Sequence, residues 1–258
     1  MILGIFDSGL GGLTVLKEVL VNNSFDRIVY YGDTARVPYG DKDIDTLRKY
    51  ARDDITFLLE KKCDEIIVAC GTVSSTVLNE IKDDYDIKIS GIIDAACKGA
   101  INVSKNKKIG VIATSATINT HVFKNNLKGY DVYEVACPKF VPLIENNLID
   151  SKQMDDCIDK YLSIFKKENI DTLILGCTHY PLLANKINKY FDGKVSLVNS
   201  GTVLSKEVNK IEYKVPKVDF YVSGDLGSFE NNASRFLDLD KLRGNYAFYK
   251  WCKRGFES

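Results

Sequence analysis

Short apolar runs rich in β-branched residues alternate along the chain with longer amphipathic stretches. The runs are Ile2–Asp7, Arg27–Gly32, Glu65–Cys70, Lys88–Ile93, Lys108–Thr114, Asp131–Cys137, Thr172–Cys177, Val195–Ser200 and Val218–Gly224. Most intervals between them are long enough for a helix. Leu13, Leu16 and Leu20 share one helical face, as do Leu47, Ala51, Ile55 and Leu58. Strands apolar on both sides, alternating with helices, predict mostly parallel sheets covered on both faces, an α/β fold.

The rhythm occurs twice. Gly4-Ile5-Phe6 answers Gly110-Val111-Ile112, Asp64–Cys70 answers Asp171–Cys177, and Ile93 answers Ser200, all at nearly one offset. One such match is ordinary in an α/β chain; agreement at three separated points predicts two similar, pseudo-symmetric domains. The ninth run lies beyond the second set. A lone strand does not fold by itself, so the chain is expected to return there to the first domain. The expected limits are 1–96 plus 206–258 for the first domain and 97–205 for the second, inserted one, with a cleft between them.

Composition narrows the function. Lys plus Arg equals Asp plus Glu at 35 each, so no excess positive charge exists to displace counterions, and nucleic acid is not an expected partner. No apolar run approaches the ~18–20 residues that cross a bilayer. The first residues, Met1-Ile2-Leu3-Gly4-Ile5-Phe6-Asp7, have no basic segment and read as a buried strand. The seven cysteines form no C-x-x-C pair, and the only histidines are His121 and His179. Together these features predict reduced thiols in a cytoplasmic protein with no membrane partner and no metal site.

Ligands in open α/β sheets sit beyond the carboxyl ends of the strands. Asp7-Ser8, Asp33, Cys70, Thr114, Cys137 and Cys177 fall at such ends. If the two domains face each other, Cys70 and Cys177 oppose one another across the cleft. A single cysteine is more often a small core side chain. Two at matched repeat positions, followed by Gly71-Thr72 and by Thr178-His179, point to chemistry. A strand-to-helix turn at each would favour the thiolate through the helix N-terminus. One thiolate could then remove a proton from carbon while the opposite thiol delivers one, inverting that centre. A reference pKa of about 8.5 keeps both forms of cysteine within reach near neutral pH. Asp7 could orient a thiol or meet an ammonium group, and His179 titrates in the right range beside Cys177. The remaining cysteines, Cys63, Cys97, Cys137, Cys157 and Cys252, are expected to be structural.

A rival signal is the glycine-rich segment Asp7-Ser8-Gly9-Leu10-Gly11-Gly12-Leu13-Thr14. It resembles a dinucleotide fingerprint, with Asp33 near the position of the ribose-binding acid, but Thr14 replaces the third glycine. Nicotinamide chemistry leaves the cysteine pair unexplained. The preferred reading is a set of backbone amides that holds a small carboxylate at a helix N-terminus.

Four stretches resemble the signatures of the glutamate racemases, within the cofactor-independent aspartate/glutamate racemase superfamily. They are Gly4–Leu13, Gly32-Asp33-Thr34-Ala35-Arg36-Val37-Pro38-Tyr39-Gly40, Gly110-Val111-Ile112-Ala113-Thr114, and Leu175-Gly176-Cys177-Thr178-His179-Tyr180-Pro181-Leu182-Leu183. Weaker echoes at Ala136-Cys137-Pro138, Val141-Pro142-Leu143 and Ser223-Gly224-Asp225 extend the resemblance along the chain. The resemblance implies an isomerase needing no cofactor, in which Cys70 handles the proton of D-glutamate and Cys177 that of L-glutamate. It places Asp7 and His179 as their assistants. It assigns substrate contacts to Asp7, Ser8, Pro38, Tyr39, Gly40, Thr72, Thr114, Thr117 and Thr178, and to Gly71 through its backbone. Glutamate is then the small-molecule partner, D-glutamate for peptidoglycan is the product, and a homodimer is compatible with the reading. One departure matters: the family's first cysteine is usually followed by Asn-Thr, and this chain has Gly71-Thr72. A lost hydrogen bond of that kind costs ~0.5–1.5 kcal/mol, so it bears on substrate preference rather than on reaction type. Aspartate or another acidic amino acid is therefore the alternative substrate. A catalytically silent relative that binds an acidic metabolite or a protein partner is the alternative from another class.

Overall fold

β1 (Ile2–Asp7) and β2 (Arg27–Gly32) are buried at every position after the first, so both faces of their sheet need cover. The computed structural model describes residues 1–21, 25–207 and 215–251. It places the strands in two sheets. The first has the order β10-β9-β2-β1-β3-β4, with β3 (Glu65–Val68), β4 (Lys88–Gly91), β9 (Lys217–Val222) and β10 (Tyr246–Lys250). The second has the order β6-β5-β7-β8, built from β5 (Lys108–Ala113), β6 (Asp131–Ala136), β7 (Thr172–Leu175) and β8 (Ser196–Asn199). Every strand pair among the described residues is parallel. The repeat expected from the sequence is visible as topology, because β2-β1-β3-β4 in one sheet has the order of β6-β5-β7-β8 in the other.

The return of the chain after the second sheet also appears, since β9 pairs with β2 along its whole length. It is not an edge strand, however. A tenth strand, absent from the sequence reading, lies outside it and forms the edge. Several strands end earlier than their apolar runs. The run Lys88–Ile93 splits into β4 and a helix, Ile92–Val103, that starts at once. The same shortening in β3 and β7 releases Cys70 and Cys177 from the sheets into the turns beyond them.

Helices cover the sheets through apolar stripes. In Ile44–Glu60 the buried residues include Leu47, Ala51, Ile55 and Leu58, the face foreseen from their spacing. Asp43 caps this helix, its side chain accepting from Thr46 N at 2.8 Å. Cys63, Cys97, Cys137 and Cys157 are buried free thiols, while Cys252 lies outside the described residues. No helix among the described residues is long and apolar enough to cross a membrane.

Candidate active site

The loop after β1 is built around a buried carboxylate. Asp7 Oδ2 accepts from the backbone amides of Gly12 (2.9 Å) and Gly9 (3.2 Å). Two of the amides that the sequence reading offered to a ligand are thus engaged by Asp7 itself. A Cβ on Gly12 would sit 2.6 Å from the Asp7 Cβ and 2.8 Å from the Tyr30 hydroxyl, so only glycine allows this fold-back. Tyr30 Oη closes the loop by donating to the Gly9 carbonyl at 2.7 Å. Burial raises the Asp7 pKa, against the pull of the His179 charge and the loop amides. Asp33 has no free face for a ribose: it is fully buried and accepts from Arg36, Tyr39, Ser223 and Tyr31.

Cys70 follows β3 and occupies the N-cap position of the short helix Gly71–Thr76. It is buried, and its thiol donates to Ser8 Oγ at 3.8 Å. The expected drift toward thiolate does not occur. Burial and the Asp7 charge push the thiol up to about 12, although Ser8 and the amides of Val73 and Thr72 favour its ionised form. A six-residue helix offers too weak a dipole to reverse desolvation.

Cys177 differs. The turn after it leads into a short 3₁₀ segment, Tyr180–Leu183, rather than the expected α-helix. Its sulfur instead lies 3.9 Å from His179 Nδ1, and His179 Nε2 lies 3.0 Å from Glu145 Oε1. Burial opposes charge on this ring, but contacts with Cys177 and Glu145, and the Asp7 charge, outweigh it and lift the pKa to about 10. These contacts favour the charged imidazolium, and the His179 hydrogen bond holds the Glu145 carboxyl below its ordinary pKa. Arg235, on the helix Leu226–Phe236, donates to the carbonyls of Ile144 (2.6 Å) and Glu145 (3.0 Å). Phe236 meets the His179 ring edge-on at 5.7 Å. Sequence reasoning missed Glu145, Arg235 and Tyr30, because their roles arise from tertiary contacts and no local motif marks them.

The two halves meet at the cysteine turns. A Cβ on Gly71 would lie 3.3 Å from the Gly176 carbonyl, so the residue after Cys70 abuts the residue before Cys177. The Thr14 hydroxyl donates to the Thr178 carbonyl at 2.7 Å. Thr114 caps the helix Ser115–Asn119 and bonds Thr117 Oγ1 at 3.2 Å, while Ser75 reaches the same oxygen at 3.5 Å. Asp7, Ser8, Cys70, Gly71, Thr72, Thr114, Thr117, Cys177, Thr178 and His179 thus gather around one junction. Pro38 and Gly40 are exposed on a neighbouring loop. Tyr39 is buried with its hydroxyl toward Asp33 and Asp54, which leaves only its backbone for a ligand.

Enzymes that move protons with their own side chains are the class this junction defines, since each sheet brings a thiol and the thiols' neighbours are acids, bases and hydroxyls. The chain belongs to the Asp/Glu/Hydantoin racemase family, whose model matches residues 27–208. It is 46% identical over 207 residues to the glutamate racemase of Aquifex pyrophilus, covering 80% of this chain and 81% of that one. The crystal structure of glutamate racemase from Campylobacter jejuni subsp. jejuni matches it with a TM-score of 0.85 at 36% identity, over 93% of this chain and 99% of that one. The glutamate racemase of Francisella tularensis subsp. tularensis SCHU S4, solved in complex with D-glutamate, matches with a TM-score of 0.83 at 31% identity, over 97% and 96%.

Proposed function

We propose that the protein interconverts L- and D-glutamate by cofactor-independent proton transfer at Cα, with Cys70 and Cys177 as the acid/base pair. The observation that carries this reading is the junction of the two cysteine turns, one from each sheet, with Gly71 against Gly176. Relatives that are glutamate racemases along most of their length supply the substrate. The product, D-glutamate, serves peptidoglycan synthesis in the cytoplasm. The domain limits proposed are those of the sequence reading, 1–96 plus 206–258 for the first domain and 97–205 for the inserted one; the limit after residue 96 falls within the helix Ile92–Val103.

The two thiols start in different states. Cys70 is held as S–H, and the L-to-D direction requires Cys177 as the thiolate, its sulfur 3.9 Å from His179 Nδ1. L-Glutamate then loses its Cα proton to the Cys177 sulfur, and Cys70 delivers its own proton to the opposite face. A thiol raised to about 12 is still a far stronger acid than a C–H beside a carboxylate, so this delivery is downhill. The step leaves Cys70 as thiolate and Cys177 as thiol, which is the starting state for D-glutamate. Asp7 assists Cys70, and His179 assists Cys177. Ser8, Thr72, Thr114, Thr117 and Thr178, with backbone from Pro38, Tyr39, Gly40 and Gly71, hold the substrate. Fixed donors of this kind stabilise the charge that develops on the α-carboxylate where water is excluded.

Turnover in D₂O tests the reading. Deuterium should enter Cα during racemisation of either enantiomer, and Cys70→Ser and Cys177→Ser should each abolish it. Full turnover by both variants would overturn the two-thiol mechanism. Gly71, where the family usually has Asn, favours testing aspartate in parallel; glutamate should have the larger kcat/KM.

A further inference from the structure

Between Asp33 and Asp41 the chain forms a loop that carries Pro38, Tyr39 and Gly40 and reaches both halves of the junction. Val37 Cγ1 lies 3.8 Å from where a Cβ on Gly9 would sit, and Ala116 Cβ lies 3.8 Å from the same point on Gly40. Beneath the loop is a polar cluster sealed from solvent: Asp33 and Asp54 are both 0% exposed and Tyr39 is 2% exposed. Asp33 accepts from Arg36 Nε, from the Tyr39 hydroxyl, from Ser223 Oγ at 2.8 Å and from Tyr31 Oη at 3.3 Å. Asp54 Oδ1 accepts from the Arg36 guanidinium at 2.7 Å, while its Oδ2 lies 3.0 Å from the Tyr39 hydroxyl oxygen. Arg36 also pairs with Asp53 at 3.1 Å and lies over the Tyr50 ring.

Proton counting decides the state of this cluster. The Tyr39 hydroxyl stands between two carboxyl groups but has a single hydrogen to give. With both groups ionised, one of its two contacts would set lone pairs against lone pairs in a buried site, where an unmade hydrogen bond is most costly. The second hydrogen must therefore come from a carboxyl. Asp33, with four donors aimed at it, has the surroundings of a carboxylate. Asp54 has one guanidinium donor and the contested tyrosine. A neutral Asp54 also lowers the negative charge massed around the single Arg36 guanidinium.

We propose that Asp54 is a positioning residue that acts as a neutral carboxylic acid: its Oδ2–H donates to Tyr39 Oη, whose own O–H donates to Asp33, and this relay fixes the loop bordering the cleft. Burial and the Asp33 charge raise the Asp54 pKa well above the ordinary carboxylate range, with Arg36 and Tyr39 offsetting them only in part. The proton assignment is independent of the racemase reading. Only the kinetic consequence rests on it.

Infrared difference spectroscopy at pH 7 on protein with ¹³C-labelled aspartate tests the assignment. A protonated-carboxyl C=O band should shift with the label, vanish in Asp54→Asn and persist in Asp53→Asn. Absence of that band, or its loss in Asp33→Asn but not in Asp54→Asn, would overturn the proposal even if glutamate turns over normally. Conversely, an intact band in a protein without racemase activity would overturn the proposed function and leave the relay standing. Kinetics give the second readout. Asp54→Asn replaces O–H with N–H and should hold the KM for glutamate within about threefold, whereas Asp54→Leu, which cannot donate, should raise it about tenfold with a smaller change in kcat. Equal KM increases in the two variants would overturn the donor role.

Discussion

The hydroxyl of Thr14 donates to the carbonyl of Thr178 at 2.7 Å, tying the first turn after the glycine-rich loop to the residue that follows Cys177. The same oxygen lies 3.0 Å from the Gly11 carbonyl, the longer of two alternative acceptors for its one hydrogen. Thr14→Val keeps the shape and removes the donor, leaving a buried carbonyl unpaired. Urea unfolding should show a loss of about 1–2 kcal/mol, and the KM for glutamate should rise because the two halves no longer share this fastening. Unchanged unfolding and KM would mean the contact contributes nothing in solution.

Gly11 is the tightest point of that contact. A Cβ there would fall 2.3 Å from Thr178 Oγ1 and 2.6 Å from His179 Nδ1. Gly11→Ala should displace His179 from Cys177 and lower kcat by roughly two orders of magnitude, the scale expected when a proton-transfer group moves by about an ångström. Stability should fall only by the ~1–3 kcal/mol typical of overpacking. Steady-state kinetics beside urea unfolding separate the two effects.

Gly71 faces the Gly176 carbonyl at 3.3 Å from its would-be Cβ, and the Gly176 backbone is tethered by its amide, which donates to the Ile112 carbonyl at 2.7 Å. Gly71→Ala should therefore push the cysteine turns apart. Strain of about 1 kcal/mol felt in the transition state corresponds to roughly fivefold in kcat/KM. Any larger side chain at position 71 meets the same restriction. An alanine variant as active as the parent would show that the turns have slack.

Stability should depend on pH through His179. Its folded pKa of about 10 lies above the reference value of 6.5. A cationic group with a raised pKa stabilises the fold fully below its unfolded pKa, and that contribution is lost as pH rises through the folded value. The difference in unfolding free energy between the parent and His179→Gln should thus be largest near pH 6 and shrink steadily toward pH 10. A difference that is flat, or that grows with pH, would show that the ring is neutral in the native state.

Much of this was readable in advance for a physical reason. Two-sided burial writes each central strand as a continuous apolar run, so β1, β2, β5 and β7 were visible, and the duplication appeared as matched runs in the two halves. The strand ends were not visible, because Ala69 and Gly176 suit a buried turn as well as a strand. β10 was missed because its edge position leaves Tyr249 and Lys250 exposed and breaks the apolar pattern. The two thiols were found from their places at matched run ends. Their contrasting environments were not, since Cys70 is governed by burial and by Asp7, and Cys177 by a Glu145–His179 contact that spans 34 residues of chain.

The helix Leu226–Phe236 comes after every other element that touches His179, yet Arg235 clamps the backbone at Glu145 and Phe236 lies against the imidazole. Synthesis runs from the N-terminus, so both cysteines, the carboxylate and the ring leave the ribosome before the element that steadies them. A nascent chain halted ahead of Arg235 would hold all the proposed reacting groups and still lack the contacts that fix the Glu145 backbone and the His179 ring.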